Sequence, residues 1–267
     1  MKHPGQIAIL IIAGIGVAAC GRSQPESAAE PASETAPAVA EMADLETLLA
    51  NAGRAAEDRA RDAGRKPAEV IAYLGIAAGM SVIDIIAAGG YYTEVLSLAV
   101  GAEGHVVAQN TDFILQMRDG VNEKALSARL ADNRLPNVTR LNKNFEDISA
   151  ADGQFDAAIT ALNFHDVYNN GGADRAVGFL QTIGSLLKPG AVFGIIDHVG
   201  VAGADNATLH RAELATVIET AEAAGFIVEG HSDLLANDSD DHTQGVFAEG
   251  VRGHTDRFLV KLRKPAS

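Results

Sequence analysis

Hydrophobic positions along the chain follow two alternating rhythms. The segments Ser81–Ile86 (SVIDII), His105–Gln109 (HVVAQ), Phe155–Leu162 (FDAAITAL) and Ala191–Asp197 (AVFGIID) are short and largely apolar, as strands covered on both faces are. Asn137–Leu141, Phe226–Leu234 and Arg257–Arg263 complete a set of seven strands. Between them, apolar residues recur three or four apart, the spacing of one helix face. Tyr91–Val100 turns Val95, Leu96 and Ala99 inward. Ala173–Leu187 does the same with Ala176, Phe179, Leu180, Ile183 and Leu187. Phe113–Leu130 and Thr208–Ala224 read as two further helices, the second closed by Gly225. Strands alternating with helices predict an α/β fold with a doubly wound parallel sheet. No helix is predicted between the last two strands, so those two are expected to pair antiparallel.

Upstream of the first strand the pattern changes twice. Residues 44–66 read as a helical extension in which Leu45, Leu48 and Leu49 share a face. Arg54, Arg59, Arg61 and Arg65 follow, among Glu57, Asp58 and Asp62. They read either as a solvated helix face with paired charges or as a cap that turns an arginine toward an anionic ligand group. Pro67 opens the next helix, through Tyr73. Residues 21–43, rich in Ala, Pro, Glu and Ser, have no hydrophobic period and read as a flexible acidic tether. In residues 1–20, Lys2 and His3 precede an apolar run, Ile7–Ala19. That run is shorter than the roughly 20 residues a membrane span needs and has the length of a signal-peptide core. It ends in Val17-Ala18-Ala19-Cys20, which resembles a bacterial lipobox. The expectation is lipidation at Cys20 and an exported, membrane-anchored lipoprotein facing the periplasm or the cell surface. A plain signal peptide or a buried helix is the alternative. Residues 67–267 then form the main domain.

Composition narrows the function classes. The chain has 267 residues, 47% hydrophobic and 21% charged, which excludes a wholly disordered protein. Its net charge of −14 repels phosphate backbones and argues against nucleic-acid binding. Cys20 is the only cysteine, so there is no intrachain disulfide and no cysteine-rich metal centre. Eight histidines leave imidazole–carboxylate sites open.

In doubly wound sheets, ligands bind beyond the carboxyl ends of the strands. After the first strand stand Ala87, Ala88, Gly89, Gly90, Tyr91 and Tyr92, small residues followed by a helix N-terminus with free N–H groups. Gln109, Asn110 and Asp112 follow the second strand, where an acid often bonds ribose hydroxyls. Asn144 and Glu146 lie in a polar cluster after the third. The fourth is followed by Asn163, His165 and Asp166, and the fifth ends at Asp197 and His198. Two His/Asp pairs at neighbouring strand ends suit a general base with an orienting carboxylate or a metal site. The structural alternative is helix capping by Asp166 and a hydrogen-bonded His198. His210, Arg211, His231 and Asp233 each read as structural. Ala236–Thr255 has little secondary-structure signal and reads as a lid or a disordered loop, pinned by Phe247 and Val251. Its Asp238, Asp240, Asp241 and His242 read as a solvated acidic stretch.

At these residues the chain resembles a known family. VIDIIAAGGYYTE, FDAAITALNFHD and LLKPGAVFGIIDH are similar to the class I S-adenosylmethionine-dependent methyltransferases, over about Pro67 to Lys264. RDAGRKPAEV, GGYYTE, NFHDVYN, LHR, SDLL and RGHTDRF together look closest to bacterial predicted methyltransferases that carry export signals. The resemblance implies a Rossmann-like doubly wound sheet of seven strands, the last antiparallel. It implies S-adenosylmethionine as cofactor, with its methionine part at Ala87–Tyr92, ribose at Asn110 and adenine near Asn144 or Glu146. His165 or His198 would take a proton from a small-molecule acceptor, oriented by Asp166 or Asp197. The family's acid-x-Gly-x-Gly-x-Gly loop falls on Asp84, Ile86, Ala88 and Gly90, so two glycines are replaced and Ile86 is expected to crowd the cofactor's path. Two other functions fit these residues: a degenerate methyltransferase fold serving as an envelope ligand-binding protein, and a metal protein using His165, Asp166, Asp197 and His198.

Overall fold

The computed structural model describes residues 44–51 and 53–266. The segments expected to be a signal peptide and a tether, and the expected lipidation site Cys20, lie outside them. The strands are β1 (Ser81–Ile85), β2 (His105–Asn110), β3 (Val138–Asn142), β4 (Phe155–Ala161), β5 (Leu187–His198), β6 (Ile227–Ser232) and β7 (Arg257–Arg263). They form one sheet in the order β3-β2-β1-β4-β5-β7-β6. β1 to β5 are parallel, and β7 runs antiparallel between β5 and β6. The strand order reverses between β1 and β4, so a crevice opens at their carboxyl ends.

Side-chain alternation sends each strand's apolar residues into two cores. Ile83, Ile85, Phe193 and Ile195 pack on one face with Phe179, Leu180 and Ile183. Val82, Val192 and Ile196 pack on the other with Leu74, Val95 and Leu96. Both faces are covered, which is why these strands read as continuous apolar runs. The helices are α1 (residues 44–49), α2 (Ala56–Arg65), α3 (Pro67–Leu74), α4 (Tyr91–Val100), α5 (Asp112–Leu130), α6 (Phe164–Leu186), α7 (Asn206–Leu209) and α8 (Leu214–Ala223). Leu45 and Leu49 of α1 are buried in the second core, so the extension packs on the domain. Among the described residues no helix is long and apolar enough to cross a membrane.

Three elements depart from the sequence expectation. α5 breaks at Met117–Gly120, where Arg118, Asp119 and Gly120 take left-handed backbone. Asn122 Nδ2 donates to Ile114 O (2.9 Å) and satisfies a carbonyl at the break. The helix expected over Thr208–Ala224 divides into α7 and α8, because His210 is left-handed (φ 55°) and Arg211 turns fully inward. In the loop after β6 Asp238 and Asp241 are exposed, as expected, but Asp240 is turned inward and Phe247 does not pin the loop. Arg211 donates to both oxygens of Asp240 (2.8 and 2.9 Å), and Asp240 Oδ2 accepts the Asp256 N–H. Val246 is the buried anchor, while Phe247 is exposed.

Candidate active site

The turn from β1 into α4 keeps a glycine-like backbone without all of the glycines. Ile86 (φ 55°) and Ala88 (φ 49°) are left-handed, as is Gly90 (φ 83°). This conformation costs an L side chain roughly 1–2 kcal/mol. Hydrogen bonds from the end of β2 hold it. Ile86 N donates to Gln109 Oε1 (3.0 Å) and Ala87 N to Gln109 O (2.9 Å). Asn110 accepts from Ala88 N (2.8 Å) and donates to Ala88 O (3.2 Å). At about 0.5–1.5 kcal/mol each, these bonds offset the strain. Asn110, expected at the cofactor's ribose, is buried and has both amide atoms on Ala88. Glycine remains where α5 comes close: a Cβ on Gly89 would lie 3.0 Å from Ala125 Cβ, and one on Gly90 2.8 Å from Leu126 Cδ1.

Beyond this turn a cavity of about 780 Å³ opens at the ends of β1 and β4, under α2. This lies within the range of roughly 300–1,000 Å³ for small-molecule sites. Ile86 lines the wall and also packs on the core beneath, so it narrows the cavity without closing it. Asp84, Ala87, Ala88, Gly89, Tyr91, Tyr92 and Asn163 also line it. Gly90, Asn110, Asn144 and Glu146 do not. Asn144 Oδ1 accepts the Asp112 N–H (3.1 Å), and Glu146 is exposed on a short 3₁₀ turn. Asn163 precedes α6 and bonds Ala161 O (2.9 Å) through its Nδ2.

In the arginine-rich extension the charges are paired as expected, but Arg54 and Asp58 are buried rather than solvated. Arg54 pairs with Asp62, Arg61 with Asp58, and Arg59 donates to backbone carbonyls. Arg65 has no ion pair or hydrogen bond among the described residues. Its guanidinium lies on the cavity wall, 4.3 Å from the Tyr91 ring centroid. Burial lowers its pKa from the usual value, and the Arg61 charge adds to this. An anionic ligand group would relieve both. Asp84 is buried and accepts from Thr93 Oγ1 (2.7 Å). Burial pushes its carboxyl up to about 7, against the Thr93 hydrogen bonds and the Arg129 charge. Sequence reasoning missed Arg129, which bonds Gly89 O (3.0 Å) and pairs with Asp58 (2.6 Å) and Glu94. Its partners are far along the chain, so no local spacing signals it.

A second cluster stands at the ends of β4 and β5. Asp197 is wholly buried and accepts from His165 N, His198 N and His165 Nδ1, at 2.8, 2.8 and 2.7 Å. Burial disfavours the charged form of His165, but the Asp197 charge and hydrogen bond outweigh it and raise the pKa. His165 Nε2 is buried and has no hydrogen-bond partner. His198 behaves oppositely. Its Nδ1 meets Thr255 Oγ1 at 2.7 Å, and burial drives its pKa down to about 3. Such an imidazole is a poor base, so His198 drops out as proton acceptor and takes the structural role. Asp166 does not cap α6; it sits in the first turn, and its Oδ1 lies 3.0 Å from His210 Nδ1. His210, which the sequence assigned a structural role, therefore joins the cluster.

No protein-family model matches the chain. Over 196 residues it is 27% identical to the ubiquinone/menaquinone biosynthesis C-methyltransferase UbiE of Idiomarina loihiensis, covering 72% of this chain and 67% of that one. A SAM-dependent methyltransferase structure from Aquifex aeolicus superposes with a TM-score of 0.55 at 20% identity, over 83% of this chain and 97% of that one. The [4+2]-cyclase SpnF superposes with a TM-score of 0.56 at 18% identity, over 86% and 96%. Sheet order, the antiparallel seventh strand and these likenesses agree: the chain has the fold of the class I S-adenosylmethionine-dependent methyltransferases.

Proposed function

We propose that the chain transfers a methyl group from S-adenosylmethionine, held in the cavity under α2, to a small-molecule acceptor. The fold alone does not decide this, since a cyclase shares it. The similarity to a C-methyltransferase supports the reaction. The observation that carries the reading is the pairing, in one cavity, of an uncommitted guanidinium with a buried carboxyl. Arg65 suits the methionine carboxylate, and Asp84 the ammonium. Ala87 to Tyr92 would flank the methionine part. When bound, the cofactor supplies a methyl group on a sulfonium. The protein's part is positioning and reception of the acceptor's proton, for which His165 Nε2, oriented by Asp197, is the available atom. An ammonium beside Asp84 favours its ionised form, so cofactor affinity should fall as pH drops below about 7.

A second reading rests on the adenosine side. Asn110 is committed to Ala88, and Asn144 and Glu146 lie off the cavity wall. On that reading the chain is a degenerate methyltransferase fold that binds another small anionic ligand. Mass spectrometry of the natively purified full chain separates the two. S-adenosylmethionine or its demethylated product supports methyl transfer; a different ligand in stoichiometric amount overturns it. Lipidation at Cys20 and export remain part of the proposal. Labelling with a fatty-acid probe, lost in Cys20→Ala, is the expected result, and unlabelled wild type would remove the anchor.

A further inference from the structure

The strand-end cluster keeps a buried atom without a partner, the one the methyl-transfer reading uses only as a proton acceptor. His165 is 2% exposed, yet its Nε2 meets no hydrogen-bond partner. A buried polar atom left without a partner is destabilising and calls for an explanation. The other ring nitrogen is 2.7 Å from the buried Asp197 carboxylate. That contact places the proton on Nδ1 and leaves the Nε2 lone pair free. A carboxylate behind an imidazole in this way is the usual support of a metal-ligating histidine.

The Nε2 atom has company. Asp166 Oδ1 lies 3.5 Å from it, too far for a good hydrogen bond. His210 Nδ1 lies 3.0 Å from the same oxygen. The three ligand atoms all fall within 4.8 Å of one another. Around a cation bonded at about 2.0–2.2 Å, neighbouring ligands stand roughly 3.0–3.5 Å apart in octahedral or tetrahedral geometry. The separations of 3.5 and 3.0 Å match that spacing.

We propose that His165, Asp166 and His210 bind a divalent transition-metal cation, with Asp197 orienting His165. Two imidazoles and one carboxylate suit zinc, iron, cobalt or nickel better than calcium or magnesium, which prefer all-oxygen shells. Asp166 and His210 are about half exposed, so the outer coordination positions face solvent. The Phe247 ring, 5.1 Å from the His210 ring, walls one side. The ligand set differs from the one expected from sequence. Asp197 is spent on three donors and His198 on Thr255, while His210 enters. The site stands without the methyl-transfer reading. Where that reading also holds, the cation would receive an acceptor oxygen in place of the bare imidazole.

The test uses the full chain, purified without a histidine tag and stripped with chelator. Cobalt(II) is titrated in and followed by its visible absorption, and zinc is then added in competition. The expected result is one cobalt per chain, displaced by zinc. Asp166→Asn and His210→Ala should each weaken binding at least 10-fold with unchanged thermal unfolding of the metal-free protein, and His254→Ala, an exposed histidine elsewhere, should leave it unaltered. Absence of stoichiometric cobalt binding overturns the proposal, as does equal binding by the wild type and His210→Ala. Binding of S-adenosylmethionine is measured on the same stripped sample. Loss of cobalt binding alone defeats this proposal, and loss of cofactor binding alone defeats the methyl-transfer reading.

Discussion

The cavity under α2 and the cluster at the ends of β4 and β5 use charge in opposite ways. In the cavity, cations outnumber their tasks. Arg54, Arg61, Arg129 and Arg134 are paired with carboxylates, and Arg65 is left over. In the cluster, one buried carboxylate serves three donors and thereby fixes an imidazole with one free nitrogen. The first region keeps a whole side chain in reserve, and the second keeps a single atom. Losing the reserved group should therefore cost ligand affinity in the cavity. Losing the support should cost the fold itself in the cluster.

The largest expected effect tests the second half of that contrast. Asp197→Ala strips three buried donors of their acceptor and should destabilise by about 3–5 kcal/mol in urea unfolding. A loss under about 1 kcal/mol would show that the carboxylate is not the support described. Next comes Arg65→Ala, which should weaken S-adenosylmethionine binding by roughly 1.5–3 kcal/mol, or about 10–150-fold. Its stability should fall by less than about 1 kcal/mol, the worth of the contact with Tyr91. Arg54→Ala should invert that ratio, because it leaves Asp62 without its guanidinium and frees the Leu49 carbonyl.

The pH dependence separates the two histidines. The His198 pKa falls from the usual 6.5 to about 3 on folding. The unfolded chain therefore binds more protons between those values, and stability drops as pH falls from about 6.5 toward 3. The slope approaches roughly 1.4 kcal/mol per pH unit. For His165 the folded pKa is raised, so its contribution is complete below 6.5 and fades as pH rises through the folded value. His198→Asn should flatten the acid limb of urea-derived stability; an unchanged limb would assign that slope elsewhere. The smallest effect expected is at the turn. Ala88→Gly relieves roughly 1–2 kcal/mol of left-handed strain against about 0.4–1 kcal/mol of added unfolded-chain entropy. The melting temperature should rise slightly, and a clear fall would contradict the strain assigned to Ala88.

The fold was legible because its signal is repetitive. Apolar runs such as SVIDII and AVFGIID fill strands covered on both faces, and the absence of a helix before Arg257–Arg263 already indicated an antiparallel end. The breaks were less legible. Left-handed residues at Arg118, Asp119 and His210 interrupt helices that hydrophobic spacing alone would continue. At the strand ends, sequence pointed to Asp84, His165 and Asp197, since topology fixes where chemistry collects. It could not show how the polar atoms are spent. Gln109 and Asn110 occupy a ligand-binding position yet hold the turn, and Arg65 differs from Arg61 only in which carboxylates lie within reach. His210 and Asp166 are 44 residues apart in sequence, and only the turn between α7 and α8 brings them together.

The cavity under α2 is proposed to take S-adenosylmethionine through Arg65 and Asp84. Calorimetric titration of the full chain with the cofactor, at pH 8 and pH 6, tests it most directly. One site per chain is expected, with weaker binding at pH 6 than at pH 8. Arg65→Ala should lower affinity at both pH values, and Asp84→Asn should abolish the difference between them. No heat of binding at millimolar cofactor, or equal affinity in wild type and Arg65→Ala, would contradict it.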